Sequence, residues 1–399
     1  MNQRERYINA LTYKPVDRCP LEPGYPREST LRRWRVEGLP EGADYYRHVM
    51  ELLGIEMEYP APIEHGVVTR MIPVFDEEVL SHENGHYIVR DWMGAITEIS
   101  DQYDYTYIRN AIDFVTRKWH KFPVETPEDF AEMKKRYNPD DPSRLPAGAH
   151  DMKQSLSGRD YITRFSVNGP FWQLREWLGF ENLCTAFIER PDFVREMIDF
   201  WRGYVLRLFD IASALIPFDC FAISEDMAFK AHSMISPAMA REFLLPVYKE
   251  WVTAAKRRGV KIIDMDSDGY VAELIPIWIE AGINVCDPIE VAAHNDIAIY
   301  RSEFGDRMAY KGGVDKRAIA AGGSVMEREV ARVAAPFVSG SVAAPFMADS
   351  SAPFIADGAG PLLTAGGLIP GCDHGVPHDI SFANYIEYTR LLAQITGWL

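Results

Sequence analysis

Two short stretches of this sequence carry side chains that could do chemistry at close spacing. Asp266-Ser267-Asp268-Gly269 offers two carboxylates two residues apart, followed by a glycine that allows a sharp turn. Gly371-Cys372-Asp373-His374-Gly375-Val376-Pro377 puts a thiol, a carboxylate and an imidazole within three residues, between glycines and a proline that fix the backbone. Cys and His together suit zinc ligation or acid/base work. The plainer reading is a solvated turn for the first stretch and a small buried Cys with a hydrogen-bonded loop His for the second. Glu225-Asp226 adds two adjacent acids, and Asn168 and Glu290 further polar groups in comparable surroundings. Several carboxylates around one hollow cannot all stay ionised cheaply, because each raises its neighbours' pKa. They must share protons, bind a cation or face a cationic ligand.

The elements that would bring these residues together are legible from about residue 160 onward. Short apolar runs alternate with stretches of helical periodicity, and each run stops at polar residues or glycine. Tyr161–Val167 stops at Asn168, Asp219–Ser224 at Glu225-Asp226, and Val260–Met265 at Asp266. Ile283–Cys286 ends at Asp287-Pro288, Arg307–Tyr310 at Lys311-Gly312-Gly313, and Gly367–Pro370 at Gly371-Cys372. Between them lie helical segments such as FWQLREWLGF and VAELIPIWIEAG, and Ser236-Pro237 has the form of a helix start, with Ser as cap and Pro in the first turn. This alternation predicts parallel strands joined by helices, either an open doubly wound sheet or a closed eight-stranded barrel. Neither GxGxxG after an early strand nor GxxxxGK[ST] occurs, which favours the barrel. In a barrel the polar strand ends share one mouth, where active sites lie.

Residues 1–160 are less regular and predict a helical lead-in with the first strand or two, so that 1–399 reads as one domain with an elaborated front. At 335–363 the chain repeats Ala-Pro-Phe three times with only two charges, Asp349 and Asp357. Recurring proline breaks both helix and sheet ladders, so this low-complexity insert predicts a loop, an apolar flap over the mouth or a subunit contact. Arg27, Arg32, Arg33 and Arg35 form one dense basic patch. It reads either as a solvated helix face or, through Arg27, as an anchor for substrate carboxylates.

Composition removes whole classes of function. With 42 Lys+Arg against 58 Asp+Glu the formal charge is −16, which excludes a phosphate-tracking nucleic-acid surface. No stretch approaches the ~18 apolar residues of a membrane helix, and the charged opening MNQRERYINALTYKPVDR has no signal-peptide core. Five scattered cysteines with no CxxC pair read as reduced thiols. The expected location is the cytoplasm.

The segments RERYINALTYKPVDRCPL, ISPAMAREFLLPVYKEW, IIDMDSDGY, MAYKGGVDK and IPGCDHGVP together resemble the uroporphyrinogen decarboxylase superfamily along most of the chain outside the Ala-Pro-Phe insert. The resemblance implies a TIM (β/α)8 barrel with a helical N-terminal elaboration. It implies one of two activities: decarboxylation without a cofactor, or zinc-dependent methyl transfer between corrinoid proteins and thiols. The decarboxylases' Arg-rich RQAGRY motif corresponds here to LEPGYPREST, where Arg27 is the one counterpart, and no FSDI segment is present; His374 in HGVP resembles their late histidine. The methyltransferases' HxCG metal slots are held here by Asp266 and Asp268 before Gly269, and their later Cys by Cys372. Carboxylates in those slots would suit Zn, Mn, Mg or Fe.

The expectation is therefore metal-assisted demethylation of a small methylated substrate. Asp266, Asp268 and Cys372 are the expected ligands of a divalent metal such as zinc, and Glu225, Asp226 and His374 the catalytic groups. Arg27, Asn168, Glu290 and Asp373 would bind substrate, and the partners would be a corrinoid protein and a second copy of the chain. Without a metal, Asp266 and His374 would serve as an acid/base pair. The alternatives are decarboxylation of a polycarboxylate such as uroporphyrinogen, and a non-catalytic barrel that binds tetrapyrrole or corrinoid.

Overall fold

The structure is a computed structural model and describes residues 1–56, 66–106, 109, 115–338 and 363–399. The Ala-Pro-Phe insert falls mostly outside the described residues. Its first repeat forms a 3-10 turn, Ala335–Phe337, with Phe337 buried.

Two sheets make up the strands. The first is an antiparallel meander of β1 (Glu78–Glu83), β2 (His86–Arg90), β3 (Ile96–Ser100) and β4 (Arg117–Lys121), paired in chain order. The second is parallel and holds β5 (Arg164–Asn168), β6 (Cys220–Ser224), β7 (Ile262–Asp266), β8 (Val285–Asp287), β9 (Ala309–Val314) and β10 (Leu368–Cys372), each beside its neighbour in sequence. All six parallel strands fall on apolar runs predicted from the sequence. The meander corrects the expectation of an irregular front. Its first turn, Asn84-Gly85, has both residues at positive φ, the backbone that a two-residue hairpin requires, and Asn-Gly is a strong hairpin signal that the alternating residues around it support.

Helices cover the parallel sheet, and their starts are written in the sequence. Ser236 accepts a hydrogen bond from the Met239 amide ahead of Pro237, and Ser381 does the same for Asn384 at the head of the helix Phe382–Thr396. The core between helices and strands is apolar and aromatic, with Trp177, Trp201, Trp251 and Trp278 almost wholly buried. The expected helical lead-in is present as helices Gln3–Leu11, Glu28–Val36 and Tyr45–Leu52.

Between the first two of these helices the chain runs extended along β10. The Cys372 amide donates to the Pro23 carbonyl at 3.3 Å, and Pro26 bridges Val376 in parallel. Gly24 permits this approach: its φ is +103°, and a Cβ there would lie 3.0 Å from that of Cys372. Among the described residues the strand ladder runs from β10 to β5, and no strand pairing closes it into a ring.

Register decides what the sheet presents. Asn168 pairs with Ser224, Ser224 with Asp266, and Asp266 with Asp287. Continuing the β8–β9 register by one residue places Lys311 beside Asp287, and Lys311 in turn pairs with Ile369. Laterally paired residues point to the same face of a sheet, so one polar row crosses the strands near their C-terminal ends.

Candidate active site

That row lines a cavity of about 790 Å³, a volume typical of small-molecule sites. The last residue of β10, Cys372, and the loops just beyond the strand ends, with Asp226, Asp268 and His374, add to it, and the extended N-terminal segment adds Glu22 and Tyr25. Aromatic faces of Tyr45, Tyr46, Trp172 and Trp398 complete the walls. The turn after β7 needs its glycine: Gly269 has φ +85°, and a Cβ there would come within 2.3 Å of the Ala228 carbonyl oxygen. The structure thus joins the two stretches singled out by spacing. His374 Nε2 lies 3.0 Å from Asp268 Oδ2, across more than a hundred residues of sequence.

The hydrogen bonds of His374 fix its tautomer. The Gly375 amide donates to Nδ1 at 2.8 Å, and Arg27 Nη2 lies 3.2 Å from the same nitrogen. Nδ1 is therefore the acceptor, and Nε2 carries the proton donated to Asp268. The Asp268 carboxylate raises the pKa of the ring, while a second proton at Nδ1 would have to displace the Arg27 guanidinium. Arg27 thus bears on the site through His374 and is not among the cavity-lining residues.

Acids along the row hold their protons unusually well. Burial, reinforced by Asp287 and Asp226, pushes Asp266 up to about 8. Ser224 Oγ donates to Asp266 Oδ2 at 3.1 Å, which leaves Oδ1 as the position for the acidic proton. Burial, with Asp268 nearby, pushes Asp226 up to about 6. Asp226 sits at φ +40°, a conformation that costs a non-glycine residue energy and that occurs disproportionately at functional sites. The Asp268 amide donates to its Oδ1 at 3.2 Å, and Arg175 Nη2 stands 3.8 Å from Oδ2.

Lys311 is the buried cation of the floor. Its Nζ lies 2.6 Å from Asp287 and 2.8 Å from Asp264; burial opposes its charge, but the two carboxylates override this and raise its pKa well above the usual value. Arg164 stands 3.8 Å from Asp264 and donates to the Tyr7 hydroxyl at 2.6 Å.

Three of the predicted site residues do other work. Glu225 is fully buried and accepts from the Trp172 amide at 2.9 Å and from the Tyr248 hydroxyl, so it caps the helix Pro170–Leu178. Glu290 accepts from the Gly269 amide at 3.1 Å and pairs with Lys316, which fastens the turn after β7. Asp373 is fully buried and accepts from the Val291 and Lys316 amides at 2.9 and 3.2 Å. None of the three lines the cavity. Each is consumed in satisfying main-chain N–H groups, which supports the site without touching a ligand. Asn168 does line it, held by Gln173 and Glu176.

Glu22, Asp287 and Lys311 were not predicted as site residues. Asp287 was visible as a strand end and Lys311 stood in the YKGG run, but the pairing that buries them joins three strands.

The expected metal ligands do not converge. Among the described residues no three His, Cys, Asp or Glu side chains are grouped to hold a metal ion. Asp268 Oδ2 is committed to His374, Asp266 Oδ2 to Ser224, and Cys372 is buried. This donor set does not fit the metal of the expectation.

No family model matches the chain, and no curated protein is similar to it. Among solved structures it is similar to a methyltransferase from Methanosarcina mazei, with 14% identity, a TM-score of 0.55 and 98% of each chain covered. The likeness is one of fold, and it extends over the whole chain. No helix among the described residues is long and apolar enough to cross a membrane.

Proposed function

We propose that this chain is a methyltransferase of the uroporphyrinogen decarboxylase superfamily that removes a methyl group from a small substrate and passes it to a thiol or to the corrinoid of a partner protein. The observation that carries the reading is the convergence of Asp226, Asp266, Asp268 and His374 on one small-molecule cavity, at the strand ends of a fold it shares with a methyltransferase. The same reading closes the sheet into an eight-stranded barrel. Its support is the sequential parallel order, the extended segment added beside β10, and the first helix spanning the two edges, with the Ala10 carbonyl accepting from the Gly367 amide just before β10 at 2.6 Å and the Tyr7 hydroxyl accepting from Arg164 of β5.

Methyl transfer leaves the bonding electron pair on the heteroatom that held the methyl group. The acceptor, thiolate or reduced corrinoid, supplies the nucleophile; a corrinoid would be presented at the mouth by its own carrier. The chain supplies the proton: Asp266, protonated at neutral pH, gives it from Oδ1 to the departing heteroatom, which leaves neutral. The carboxylate so formed retains the Ser224 hydrogen bond and regains a proton from solvent. His374, held by Asp268 and Arg27, fixes the loop that forms the opposite wall. No step is assigned to a metal.

A polycarboxylate substrate is disfavoured by the same cavity, because its acids outnumber its cations and the cations Arg6 and Lys311 are already paired. The test is methyl transfer from isotope-labelled methyl ethers, thioethers and amines to a thiol or to reduced cobalamin. Labelled acceptor is the expected product, with Asp266→Asn slower by 100-fold or more; no transfer from any donor to either acceptor would overturn the reading.

A further inference from the structure

One carboxylate organises the wall of the cavity beside β5. Glu176, on the helix Pro170–Leu178, accepts from the Trp172 indole at 2.7 Å with Oε1 and from Asn168 Nδ2 at 3.2 Å with Oε2. Trp172 and Asn168 line the cavity, and Glu176 itself does not. The second proton of Asn168 Nδ2 goes to Gln173 Oε1 at 3.2 Å, and Gln173 is oriented in turn by its own amide nitrogen, which donates to the Tyr137 hydroxyl at 3.3 Å. Arg175 lies over the Trp172 ring at 4.4 Å, and the main-chain carbonyl of Asn168 accepts from the Trp201 indole at 2.9 Å. Backbone and side chains of this wall are thus pinned together.

The consequence is a fixed polarity. An asparagine amide has two N–H donors at one end and a carbonyl acceptor at the other. With both donors spent on the helix, Oδ1 is the end left for the cavity, and nothing among the described residues donates to it. Ser224, the strand neighbour between Asn168 and Asp266, gives its proton to Asp266. Asn168 and Asp266 stand two strands apart, roughly 10 Å between backbones, a span that two side chains can close onto one small molecule.

Resting on the methyl-transfer reading, in which Asp266 protonates the departing heteroatom, we infer that the substrate carries a hydroxyl or N–H group beside its methylated heteroatom. That group donates to Asn168 Oδ1, and Glu176 is the positioning residue that keeps this acceptor facing the ligand. A methylated compound without such a donor would strip water from the acceptor and leave it unmet, which costs binding energy.

Binding, measured apart from turnover, tests this. The probes are trans-2-methoxycyclohexanol and trans-1,2-dimethoxycyclohexane, whose second oxygen carries a proton in the first and a methyl group in the second. Calorimetric titration of the wild-type chain is expected to show the alcohol bound roughly tenfold or more tightly. Glu176→Gln frees the Asn168 amide to turn its nitrogen toward the cavity, and is expected to cut that preference roughly fivefold or more with the diether bound no more weakly. Asn168→Ala is expected to abolish the preference. Bulk alone would not respond to Glu176→Gln. The inference is overturned if the wild type binds the alcohol no more tightly than the diether, if a folded Glu176→Gln or Asn168→Ala keeps the full preference, or if Glu176→Gln weakens both probes alike. Labelled methyl leaving the diether with kcat/KM equal to that for the alcohol would remove this inference and keep methyl transfer. Preferred binding of the alcohol with no methyl leaving any donor would do the reverse.

Discussion

Two sets of acids meet at the strand ends of the parallel sheet, and they differ in what faces them. Glu225, Glu290 and Asp373 form a collar behind the cavity, and each accepts from backbone amides. Asp226, Asp266 and Asp268 line the cavity itself and crowd one another, and burial and mutual repulsion hold protons on the first two. The lesson is that position at a strand end does not make an acid catalytic. What separates the sets is whether the chain spends the carboxyl's oxygens on its own N–H groups.

The sharpest break between the sets is Asp266→Asn. Methyl transfer should fall by 10² to 10⁴-fold, the usual range for losing a general acid, with the melting temperature unchanged or raised at alkaline pH. The sign follows from the proton balance. Asp266 holds its proton to about pH 8 when folded and releases it near the ordinary carboxylate value when unfolded, so native Asp266 lowers stability as pH rises through that interval. A loss of activity accompanied by unfolding would put Asp266 in the collar.

Next in size, Asp373→Ala should cost about 2–4 kcal/mol of stability by stranding the Val291 and Lys316 amides, measured by denaturant unfolding. A normal denaturation midpoint with lost activity would move Asp373 into the catalytic set. Glu225 gives a smaller and pH-dependent effect. Burial pushes it up to about 7, so its contribution is full at low pH and declines as pH rises from about 4.5 to about 7, by on the order of 3 kcal/mol. Glu225→Gln should flatten that part of the stability profile; an unaltered slope would assign it to another group. Smallest of all, dialysis against a chelator should leave methyl transfer within twofold, and a loss restored by zinc would show that the cavity acids rearrange into ligands.

Much of this was legible in the sequence, and for definable reasons. Apart from β5, whose Ser166 is exposed, the parallel strands are short apolar runs largely buried on both faces, which alternation with helices makes conspicuous. Asp266, Asp268 and His374 stand out in the sequence because each lies at or just beyond the end of such a run, and all three line the cavity. The collar could not be told from the row, because which carboxyl meets an amide depends on the neighbouring strand's loop. Lys311 was hidden for a related reason: a lysine inside an apolar run looks misplaced until Asp264 and Asp287 arrive from two other strands. Glu22 lies in a stretch with no periodicity, and its place was set by the contact of residues 22–24 with β10. The meander announced itself through Asn84-Gly85, a signal that stood in the sequence and went unused.

Because strand side chains alternate faces, the alignment of Asn168, Ser224, Asp266 and Asp287 is all or nothing with respect to chain length. Deleting one residue upstream within β7 would swing Met265 toward the ligand and turn Asp266 into the helical layer. Descendants of this gene are thus free to vary the loops between strands by insertion and deletion, whereas inside these strands they can change only by exchanging one side chain for another.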